Sequence, residues 1–465
     1  MKNVYEDTSF LDSRAVKEFD ISRELLMENA ANALENTIDK HARFNSMIII
    51  VAGPGDNGGD GLALARRLIG KYNVKIFMPF EAKSNLCKLQ LKRLELLNAT
   101  FIDKLFLCDI VVDCLFGSGF ESRKENIDKY ENILNQMNNI ARVNIACDIP
   151  SGILKNGALD VAFRADITLS MGALKLAYFS DVAKDYIGSI VEANLGISKL
   201  NYEIDSNYKL LEENDLNLPL RKSNNVHKGT FGHSCIRAGE MEGACVISAL
   251  SALSFGAGLV SVIGEVNNLP HCIMNTNLLP KNCNAIAFGM GLGDRINKYN
   301  FDFLGDIPSV IDADMFYFDD LKFMLEKGNI ILTPHINEFI SLLKIIGIGE
   351  FEKQYVIDNR FNLCMEFSKI YPNIVLLLKG ANTLIAFNQK IYINTLGSNN
   401  LAKAGSGDVL SGMIVSLLSQ GYSLIESSIN ASIAHSIASK RINTSYGLDP
   451  MILIESIKYL NSSNL

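Results

Sequence analysis

A glycine-rich segment late in the sequence has the residue types of a phosphoryl-transfer site. It reads Ala404-Gly405-Ser406-Gly407-Asp408 and precedes a predicted helix at Val409–Leu418. Glycines before a helix place backbone N–H groups and the positive end of the helix dipole at one point, where they can stabilise a phosphoryl group during transfer. Asp408 is expected to stay ionised, because the dipole favours its charge, and to accept a proton from a substrate hydroxyl. The alternative is a glycine turn with an aspartate at the helix start.

Other segments of the C-terminal half place glycine or polar residues where predicted strands end. Gly293 belongs to a tight turn in which backbone can approach a ligand. Asp312 and Asp314 follow a strand, so their carboxylates are expected to hold magnesium, directly or through water. His335 and Lys379 follow two further strands and are predicted to contact a ligand and a nucleotide phosphate, respectively. A turn histidine and a solvated lysine are the alternatives.

A second glycine-rich segment, Gly53–Gly61, follows the first predicted strand of the N-terminal half. Its spacing fits the G-x-G-x-x-G pattern of dinucleotide-binding dehydrogenases. That interpretation is the weaker one, because Asp56 and Asp60 would repel a pyrophosphate and Pro54 lacks an amide donor. Two acids and an asparagine among glycines instead favour recognition of hydroxyls or amides, or binding of a cation. A ligand-free glycine turn is the structural alternative.

Polar residues also follow two later strands of this half. Asp113 and Asp148 each end an apolar run, and Ser151 comes shortly after Asp148. If these strands neighbour the first, Asn57, Asp113, Asp148 and Ser151 converge at one edge of the sheet. Oxygen ligands of this kind suit a hard cation. Each aspartate taken alone would more often be a helix or turn cap.

Alternating strands and helices would position these residues. The N-terminal half has predicted strands at Met47–Ala52, Val74–Met78, Ile110–Asp113, Val143–Cys147 and Ile167–Ser170. The C-terminal half has predicted strands at Ala285–Phe288, Ser309–Ile311, Ile330–Thr333, Ile374–Leu378, Thr383–Phe387 and Ile391–Asn394. This alternation predicts two α/β domains with largely parallel sheets, which bind ligands at the carboxyl ends of their strands. Residues 1–205 are predicted as the first domain, 206–222 as a linker and 223–465 as the second domain.

Composition narrows the function class. The chain has 465 residues, of which 48% are apolar and 20% are charged, and its net charge is −7. This negative charge argues against non-specific electrostatic binding to nucleic acid or to an anionic membrane. Nine cysteines without a C-x-x-C pair indicate reduced thiols in a cytoplasmic protein. The first twenty residues lack the apolar core of a signal peptide. The uncharged stretch Gly243–Gly264 is long enough to span a bilayer, but its serines and glycines predict a buried helix, a turn and a strand at Leu259–Ile263.

The N-terminal motifs GPGDNGGDG, D-x-L-F-G-S-G and D-I-P-S-G resemble those of the NAD(P)HX epimerase family over about residues 10–200. The resemblance implies a Rossmann-like doubly wound sheet and a potassium ion on Asn57, Asp113 and Ser151. It implies contacts to hydrated NADH or NADPH from Asp56, Asn57, Gly58, Gly59, Asp60, Gly117, Ser118, Gly119, Phe120, Glu121, Ser122, Arg123 and Asp148. Asp56 departs from the family, which often has asparagine there. Asp148 is our candidate for the acid/base or orienting carboxylate.

The C-terminal motifs HKGTFG, GMGLGD, IDAD, LTPHINE, LLKGANT and AGSGDVLSG resemble the NAD(P)HX dehydratase branch of the ribokinase-like superfamily over about residues 222–445. The resemblance implies a ribokinase-like α/β/α fold and the use of ADP or ATP with Mg²⁺. Implied substrate contacts are Ala257, Gly293, His335 and Asp408, and implied nucleotide contacts are Lys379, Gly380, Ala381, Asn382, Thr383 and Gly407. Arg237–Glu240 departs from the Gly-Gly-Ser that members commonly show.

Together the two resemblances predict bifunctional repair of hydrated NAD(P)H. The first domain would interconvert the C6 epimers, and the second would dehydrate the S epimer at the expense of ADP, with Asp148 and Asp408 as the catalytic residues. Members of these families imply a homo-oligomer. The alternative is a small-molecule kinase of the ribokinase type fused to a non-catalytic nucleotide-binding module.

Overall fold

The structure is a computed structural model that describes residues 1–117, 127–293, 301 and 304–461. The chain packs as two compact units, one of residues 3–206 and one of residues 1–2 and 207–465. All nine cysteines are free thiols, and six of them are buried, as the sequence predicted. Among the helices described, none combines the length and hydropathy needed to cross a bilayer.

The first unit contains the elements that its alternating pattern predicts. Its strands are β1 (Lys2–Tyr5), β2 (Met47–Ala52), β3 (Asn73–Phe77), β4 (Phe101–Ile102), β5 (Cys108–Cys114), β6 (Ala141–Cys147), β7 (Ile167–Met171), β8 (Leu174–Lys175) and β9 (Ser189–Ala193). Its helices are α1 (Ser9–Phe19), α2 (Arg23–His41), α3 (Asp56–Leu68), α4 (Asn85–Leu96), α5 (Ile127–Met137), α6 (Lys184–Ile187) and α7 (Lys199–Tyr202).

A parallel sheet forms the centre of this unit, in the order β4-β3-β2-β5-β6-β7-β9. The chain runs outward from β2 to β4, then returns to β5 and runs outward in the opposite direction. Ligands of such doubly wound sheets bind at this switch, outside the carboxyl ends of the strands. Alternate residues of β2 face opposite sides, so Ile48 and Ile50 pack with α2, α3 and α4, while Ile49 and Val51 pack with α5. The predicted doubly wound α/β fold is confirmed.

The glycine-rich segment differs from its prediction as a loop, because α3 already begins at Asp56. Asn57 to Asp60 therefore lie in the first turns of a helix. The glycines allow this helix to pack closely: a Cβ at Gly58 would lie 1.9 Å from the carbonyl oxygen of Gly53. Tertiary packing rather than loop flexibility thus explains this glycine.

The second unit also alternates strands and helices. Its strands are β10 (Tyr208–Leu210), β11 (His233–Arg237), β12 (Leu259–Ile263), β13 (Met274–Thr276), β14 (Ala285–Phe288), β15 (Ser309–Ile311), β16 (Ile330–Leu332), β17 (Val375–Leu378), β18 (Thr383–Phe387) and β19 (Lys390–Asn394). Its helices are α8 (Glu242–Ser254), α9 (Leu321–Leu325), α10 (Ile336–Ile345), α11 (Lys353–Asp358), α12 (Arg360–Ile370), α13 (Ser406–Ser419), α14 (Leu424–Lys440) and α15 (Pro450–Lys458).

The strands of this unit follow the order β13-β12-β11-β14-β15-β16-β17-β18-β19-β10. They are parallel from β13 to β17, and β18 pairs antiparallel with both neighbours, β17 and β19. One face packs against α8, α13, α14 and α15 in a continuous apolar core. Val375 and Leu377 belong to that core, whereas the buried Leu376 and Leu378 lie on the face of α12. The predicted layering of helices on both faces is confirmed.

Part of the predicted linker 206–222 is built into this sheet, which corrects the expectation of a simple connection. β10 pairs in parallel with β19, and the ring of Tyr208 packs edge-on against Phe361 at a centroid distance of 6.5 Å. The sequence around β10 is polar and has no clear pattern, and the strand that it pairs with lies far away in the sequence. Sequence patterns therefore did not predict this short strand. Gly243–Gly264 forms α8, a glycine turn and β12, as predicted.

Candidate active sites

The first candidate site lies at the switch point of the N-terminal sheet. β2, β5 and β6 are neighbours, so their carboxyl ends bring α3, Asp113 and Asp148 to one edge. A cavity of about 630 Å³ opens there and is lined by Asp56, Asn57, Asp60, Gly117 and Asp148, among others. The predicted convergence of the polar strand ends is confirmed.

Asp113 and Ser151 form the buried base of this site. The Ser151 hydroxyl donates to Asp113 Oδ1 at 2.7 Å, and the Ser151 backbone N–H donates to Asp113 Oδ2 at 2.7 Å. The Phe116 N–H donates to Ser151 Oγ at 2.9 Å, which fixes the start of the following segment. Burial raises the pKa of Asp113 to about 6, against the lowering effect of these hydrogen bonds. The fold therefore holds a carboxylate away from water with neutral donors around it.

The side chain of Asn57 lies at the wall of the cavity. Both its amide oxygen and its amide nitrogen are buried, and neither has a hydrogen-bond partner among the residues that the structure describes. A Cβ at Gly117 would lie 3.4 Å from Asn57 Cβ and 3.4 Å from Asp148 Oδ2, so Gly117 separates the two side chains. A buried amide without partners is costly unless a ligand satisfies it, so Asn57 is available to bind one.

Asp148 is held by a buried lysine. Lys175 Nζ lies 2.6 Å from Asp148 Oδ1, and only 2% of the Lys175 side chain is exposed. Burial, the largest influence, would lower the pKa of Lys175, but the charge and hydrogen bond of Asp148 together with Tyr178 and Asp12 outweigh burial and raise it. Asp148 adopts a left-handed backbone conformation, with φ of 69°, and its carbonyl accepts a 2.8 Å hydrogen bond from the Tyr178 hydroxyl. A strained residue with a buried counter-ion at a cavity is typical of a functional carboxylate.

A second carboxyl, that of Asp60, lines the same cavity. Burial, followed by the negative charges of Asp148 and Asp56, raises the pKa of Asp60 well above its usual range. The Cys147 thiol lies 3.9 Å from Asp60 Oδ2. The cavity thus contains one carboxylate paired with a lysine and one carboxyl whose protonated form is favoured, a division of roles typical of acid–base sites.

The other predicted contacts of this site have varied positions. Asp56 is exposed at the cavity, and Gly58 and Gly59 are buried in α3. Ser118, Gly119, Phe120, Glu121, Ser122 and Arg123 lie outside the described residues.

The second candidate site lies at the carboxyl ends of the C-terminal sheet. Gly405 caps α13 with φ of 86°, and a Cβ there would lie 2.5 Å from the Pro450 ring. Gly407 and Asp408 then lie in the first turn of the helix, where backbone N–H groups suit an anion. His435 supports this turn, because its Nε2 lies 3.0 Å from the Ser406 carbonyl oxygen. The predicted glycine turn before a helix is therefore present.

Asp312 lies next to this turn but does not form the predicted magnesium pair with Asp314. Lys379 Nζ donates to Asp312 Oδ1 at 2.9 Å, and the Ser411 hydroxyl donates to Asp312 Oδ2 at 2.7 Å. Asp314 Oδ2 instead accepts the Gly293 N–H at 3.0 Å. Both oxygens of Asp312 are thus occupied by protein donors, and a lysine already balances its charge. The described residues contain no group of three acidic, histidine or cysteine side chains suited to a metal ion.

The prediction that the helix dipole keeps Asp408 ionised is not supported by its surroundings. Burial, followed by the charge of Asp312, raises its pKa to about 7, although Lys379 opposes the shift. The helix start cannot offset desolvation, because the carboxyl is removed from most of the water that would stabilise its charge. A carboxyl with this pKa is well matched to proton transfer near neutral pH.

His335 and Glu338 form a cap at the start of α10. The His335 Nδ1 accepts from the backbone N–H groups of Asn337 and Glu338 at 3.1 and 3.2 Å. His335 Nε2 lies 3.1 Å from Glu338 Oε1, and Lys379 Nζ lies 3.8 Å from Glu338 Oε2. Burial, then Lys379, lowers the pKa of His335, while burial raises that of Glu338 to about 7. His335 is half-exposed and caps α10, and its contact to a ligand stays a prediction.

The remaining predicted contacts divide into two groups. A Cβ at Gly407 would lie 3.5 Å from Lys379 Nζ, so the segment Lys379–Thr383 begins at the site; Gly380 and Ala381 are exposed, while Asn382 is buried. Ala257 is different, because it precedes β12 and donates its N–H to Ser416, about two turns along α13 from Asp408. Its predicted contact to substrate stays a prediction.

Sequence reasoning missed two residues of these sites, Lys175 and Ser411. Lys175 is a charged residue within the apolar run Ala173–Ala177, and such a lysine is buried only when it is paired. Ser411 lies within the motif AGSGDVLSG, one helical turn after Asp408, and this spacing places it on the same face of α13.

Comparison with known proteins finds a separate match for each half of the chain. The family described as "YjeF-related protein N-terminus" matches residues 23–177, and the family described as "NAD(P)H-hydrate dehydratase" matches residues 235–460. A crystal structure titled ADP/ATP-dependent NAD(P)H-hydrate dehydratase from Bacillus subtilis, co-crystallised with ATP/Mg²⁺, is 24% identical. It covers 54% of this chain and 96% of its own, with a TM-score of 0.46.

Full-length relatives extend the similarity across both units. The bifunctional NAD(P)H-hydrate repair enzyme Nnr of Helicobacter pylori is 45% identical and covers 99% of this chain and 100% of its own length. The protein of the same name from Dictyoglomus turgidum is 32% identical over 97% of this chain and 96% of its own. The chain therefore belongs to the family of bifunctional NAD(P)H-hydrate repair enzymes.

Proposed function

We propose that the first domain interconverts the C6 epimers of hydrated NADH and NADPH, and that the second dehydrates the S epimer at the expense of ADP or ATP. The observation that carries this proposal is the presence of two separate carboxyl-based sites, one in each unit of a chain of the repair family. The epimerase supplies the epimer that the dehydratase takes, so one chain can convert both epimers back to NADH or NADPH.

In the first domain, Asp60 and Asp148 divide the proton transfers. The C6 hydroxyl is bonded to a carbon next to the ring nitrogen, so a proton on that hydroxyl lets the nitrogen lone pair expel it as water. Asp60, whose protonated form burial favours, supplies this proton. Water then adds to the opposite face of C6, and Asp148, oriented by Lys175, accepts the proton that this water releases. The bond to oxygen breaks and forms again, with no net change in composition.

The residues predicted to hold potassium fit a monovalent cation. Asn57 offers a buried amide oxygen whose hydrogen bonding is unmet among the described residues, and Asp113 offers a buried negative charge surrounded by neutral donors. Ser151 adds a hydroxyl oxygen to this set of hard ligands. A bound potassium would balance the charge of Asp113 and fix the amide of Asn57 at the cavity wall.

In the second domain, Asp408 accepts the proton of the C6 hydroxyl as that oxygen attacks the terminal phosphorus of ADP or ATP, and the bridging P–O bond breaks to release AMP or ADP. The first-turn amides of α13 stabilise the transferring group, and Lys379 lies beside Gly407 with its positive charge. The C6–O bond of the phosphorylated substrate then breaks, a proton leaves C5, and phosphate departs as the dihydronicotinamide forms. Magnesium enters this scheme as the complex of the nucleotide, since Lys379 already balances the charge of Asp312.

The test is recovery of dihydronicotinamide absorbance from a mixture of both NADH-hydrate epimers, with full-length protein, Mg²⁺, K⁺ and ADP or ATP. We expect recovery to exceed the amount of the S epimer and to outpace spontaneous epimerisation. The Asp148→Asn variant, as matched control, should stop at the S epimer. If the parent protein also stops there, the first domain is a binding module. A stable phosphorylated product without dihydronicotinamide would identify a small-molecule kinase instead.

A further inference from the structure

A second cavity lies next to the first in the N-terminal unit. It also has a volume of about 630 Å³ and follows the end of β3 and the side of α4. Its lining includes Met78, Phe80, Glu81, Lys88, Leu91 and Phe101. None of these residues enters the proton transfers or the potassium site described above.

Three aromatic rings join the two cavities. Phe80 lines the second cavity, whereas Phe116 and Tyr130 line the first. The Phe80 ring lies 5.2 Å from that of Tyr130 and 6.3 Å from that of Phe116, measured between centroids, and Phe116 meets Tyr130 edge-on at 5.0 Å. A ligand that passes over this cluster reaches both cavities without leaving an aromatic surface.

Lysines lie along the same path, and Glu81 and Glu95 also line the second cavity. Lys83 lines the first cavity, Lys88 lines the second, and the ammonium of Lys129 lies 4.5 Å from the centroid of Phe80. The segment that carries Lys83 is anchored, because the N–H groups of Lys83 and Ser84 donate to the Pro54 carbonyl at 2.8 and 3.1 Å. Exposed lysines on a fixed segment suit the two linked phosphates of a dinucleotide.

We propose that the second cavity binds the adenylate half of the hydrated dinucleotide while its hydrated nicotinamide half lies in the first cavity. This inference rests on the proposed epimerase function. The acid–base groups fix the reacting half beside Asp60 and Asp148, and the aromatic cluster leads from the first cavity to the second. A purine base has a flat face that stacks on Phe80, as bases do on exposed aromatic side chains. Lys88 and Lys129 lie within reach of the phosphates that join the halves.

The test measures epimer exchange by chromatographic separation of the R and S hydrates. No phosphoryl donor is added, so that the second domain cannot dehydrate the substrate. Two substrates are compared on the full-length protein: hydrated NADH, and hydrated dihydronicotinamide mononucleotide, which lacks the adenylate half. The variants are Phe80→Ala and Phe101→Ala, because Phe101 belongs to the second cavity alone. Phe44→Ala is the matched control, since that ring is 97% exposed and lines neither cavity.

We expect Phe80→Ala to lower kcat/KM for the dinucleotide about ten-fold and leave the mononucleotide rate unchanged. Phe101→Ala should act in the same direction, Phe44→Ala should have no effect, and AMP should inhibit only exchange of the dinucleotide. Equal losses on both substrates, or no loss on either, would overturn the proposal while leaving epimerisation established. Absence of exchange by the parent protein would instead overturn the proposed function.

Discussion

The two candidate catalytic carboxyls, Asp148 and Asp408, are both largely buried but have opposite relations to a lysine. Lys175 binds Asp148 directly, whereas the comparable lysine of the second site, Lys379, binds Asp312 and leaves Asp408 with a pKa raised to about 7. The position of one cation therefore separates a carboxylate paired directly with a lysine from a carboxyl whose pKa burial raises to about 7. The first suits orientation and proton acceptance from water, and the second suits a base that must first lose its own proton.

Removal of the second carboxyl should give the largest effect. Asp408→Asn cannot accept the hydroxyl proton, so we expect the rate of ADP-dependent dehydration to fall about 10³-fold. Epimer exchange should be unchanged, because the first site has its own carboxyls. Both rates can be measured on the same preparation, with and without ADP. A variant that dehydrates at the parent rate would show that Asp408 is not the base.

Removal of the lysine of the first site should be costly in stability. Lys175→Met leaves Asp148 buried without its counter-ion, and we expect a loss of about 3 kcal/mol in the unfolding free energy together with loss of epimer exchange. The double variant Lys175→Met/Asp148→Asn should regain most of the stability but none of the activity. Chemical denaturation and chromatography of the epimers measure the two effects.

A surface pair provides the control for this comparison. Lys155 lies 3.1 Å from Asp7, and both side chains are largely exposed, so Lys155→Met should change stability little. If Lys175→Met is equally mild, the buried pair does not hold Asp148 in the way that its geometry indicates.

Much of both folds followed from sequence because their signals are local. β14, β15 and β18 have the predicted bounds, and the polar strand ends meet as the sheet order requires. What was missed depends on contacts between distant segments. β10, for example, depends on pairing with β19, about 180 residues later in the chain. The raised pKa of Asp408 likewise depends on burial by the folded chain, and then on Asp312, which is far from it in the sequence.

The position of Lys379 can be tested through pH dependence. Asp408 must be ionised to act, so the rate of dehydration should fall below a pH of about 7, by about ten-fold for each further pH unit. Asp312→Asn removes a negative charge that raises the pKa of Asp408 and also releases Lys379. We expect the acidic limb of the kcat/KM profile to move about one pH unit lower.

Asp319→Asn is the matched control for this shift, because Asp319 is exposed on the segment that follows the same strand. Its profile should superimpose on that of the parent. An Asp312→Asn profile that is lower in amplitude but unmoved in pH would mean that Asp312 positions Lys379 without setting the acidity of Asp408.

The smallest effect concerns a second pair of matched carboxylates, Asp113 and Asp312. Each accepts a 2.7 Å hydrogen bond from a serine hydroxyl, but Lys379 balances only Asp312. We expect potassium to supply the missing charge at Asp113, so that replacing NaCl by KCl at equal ionic strength stabilises the protein by about 1 kcal/mol. Thermal unfolding measures this difference, and Ser151→Ala and Asn57→Leu should abolish it.

The pH dependence of this potassium effect follows from the pKa of Asp113, which burial raises to about 6 in the folded protein. Between its unfolded and folded pKa values the folded state binds more protons, so its stability falls as the pH rises through that window. Above about pH 6 the carboxylate is charged and buried, and a cation then relieves the largest penalty. Below that value protons compete with the cation. Potassium should therefore stabilise the protein more at pH 8 than at pH 5, and an equal effect at both would place the ion away from Asp113.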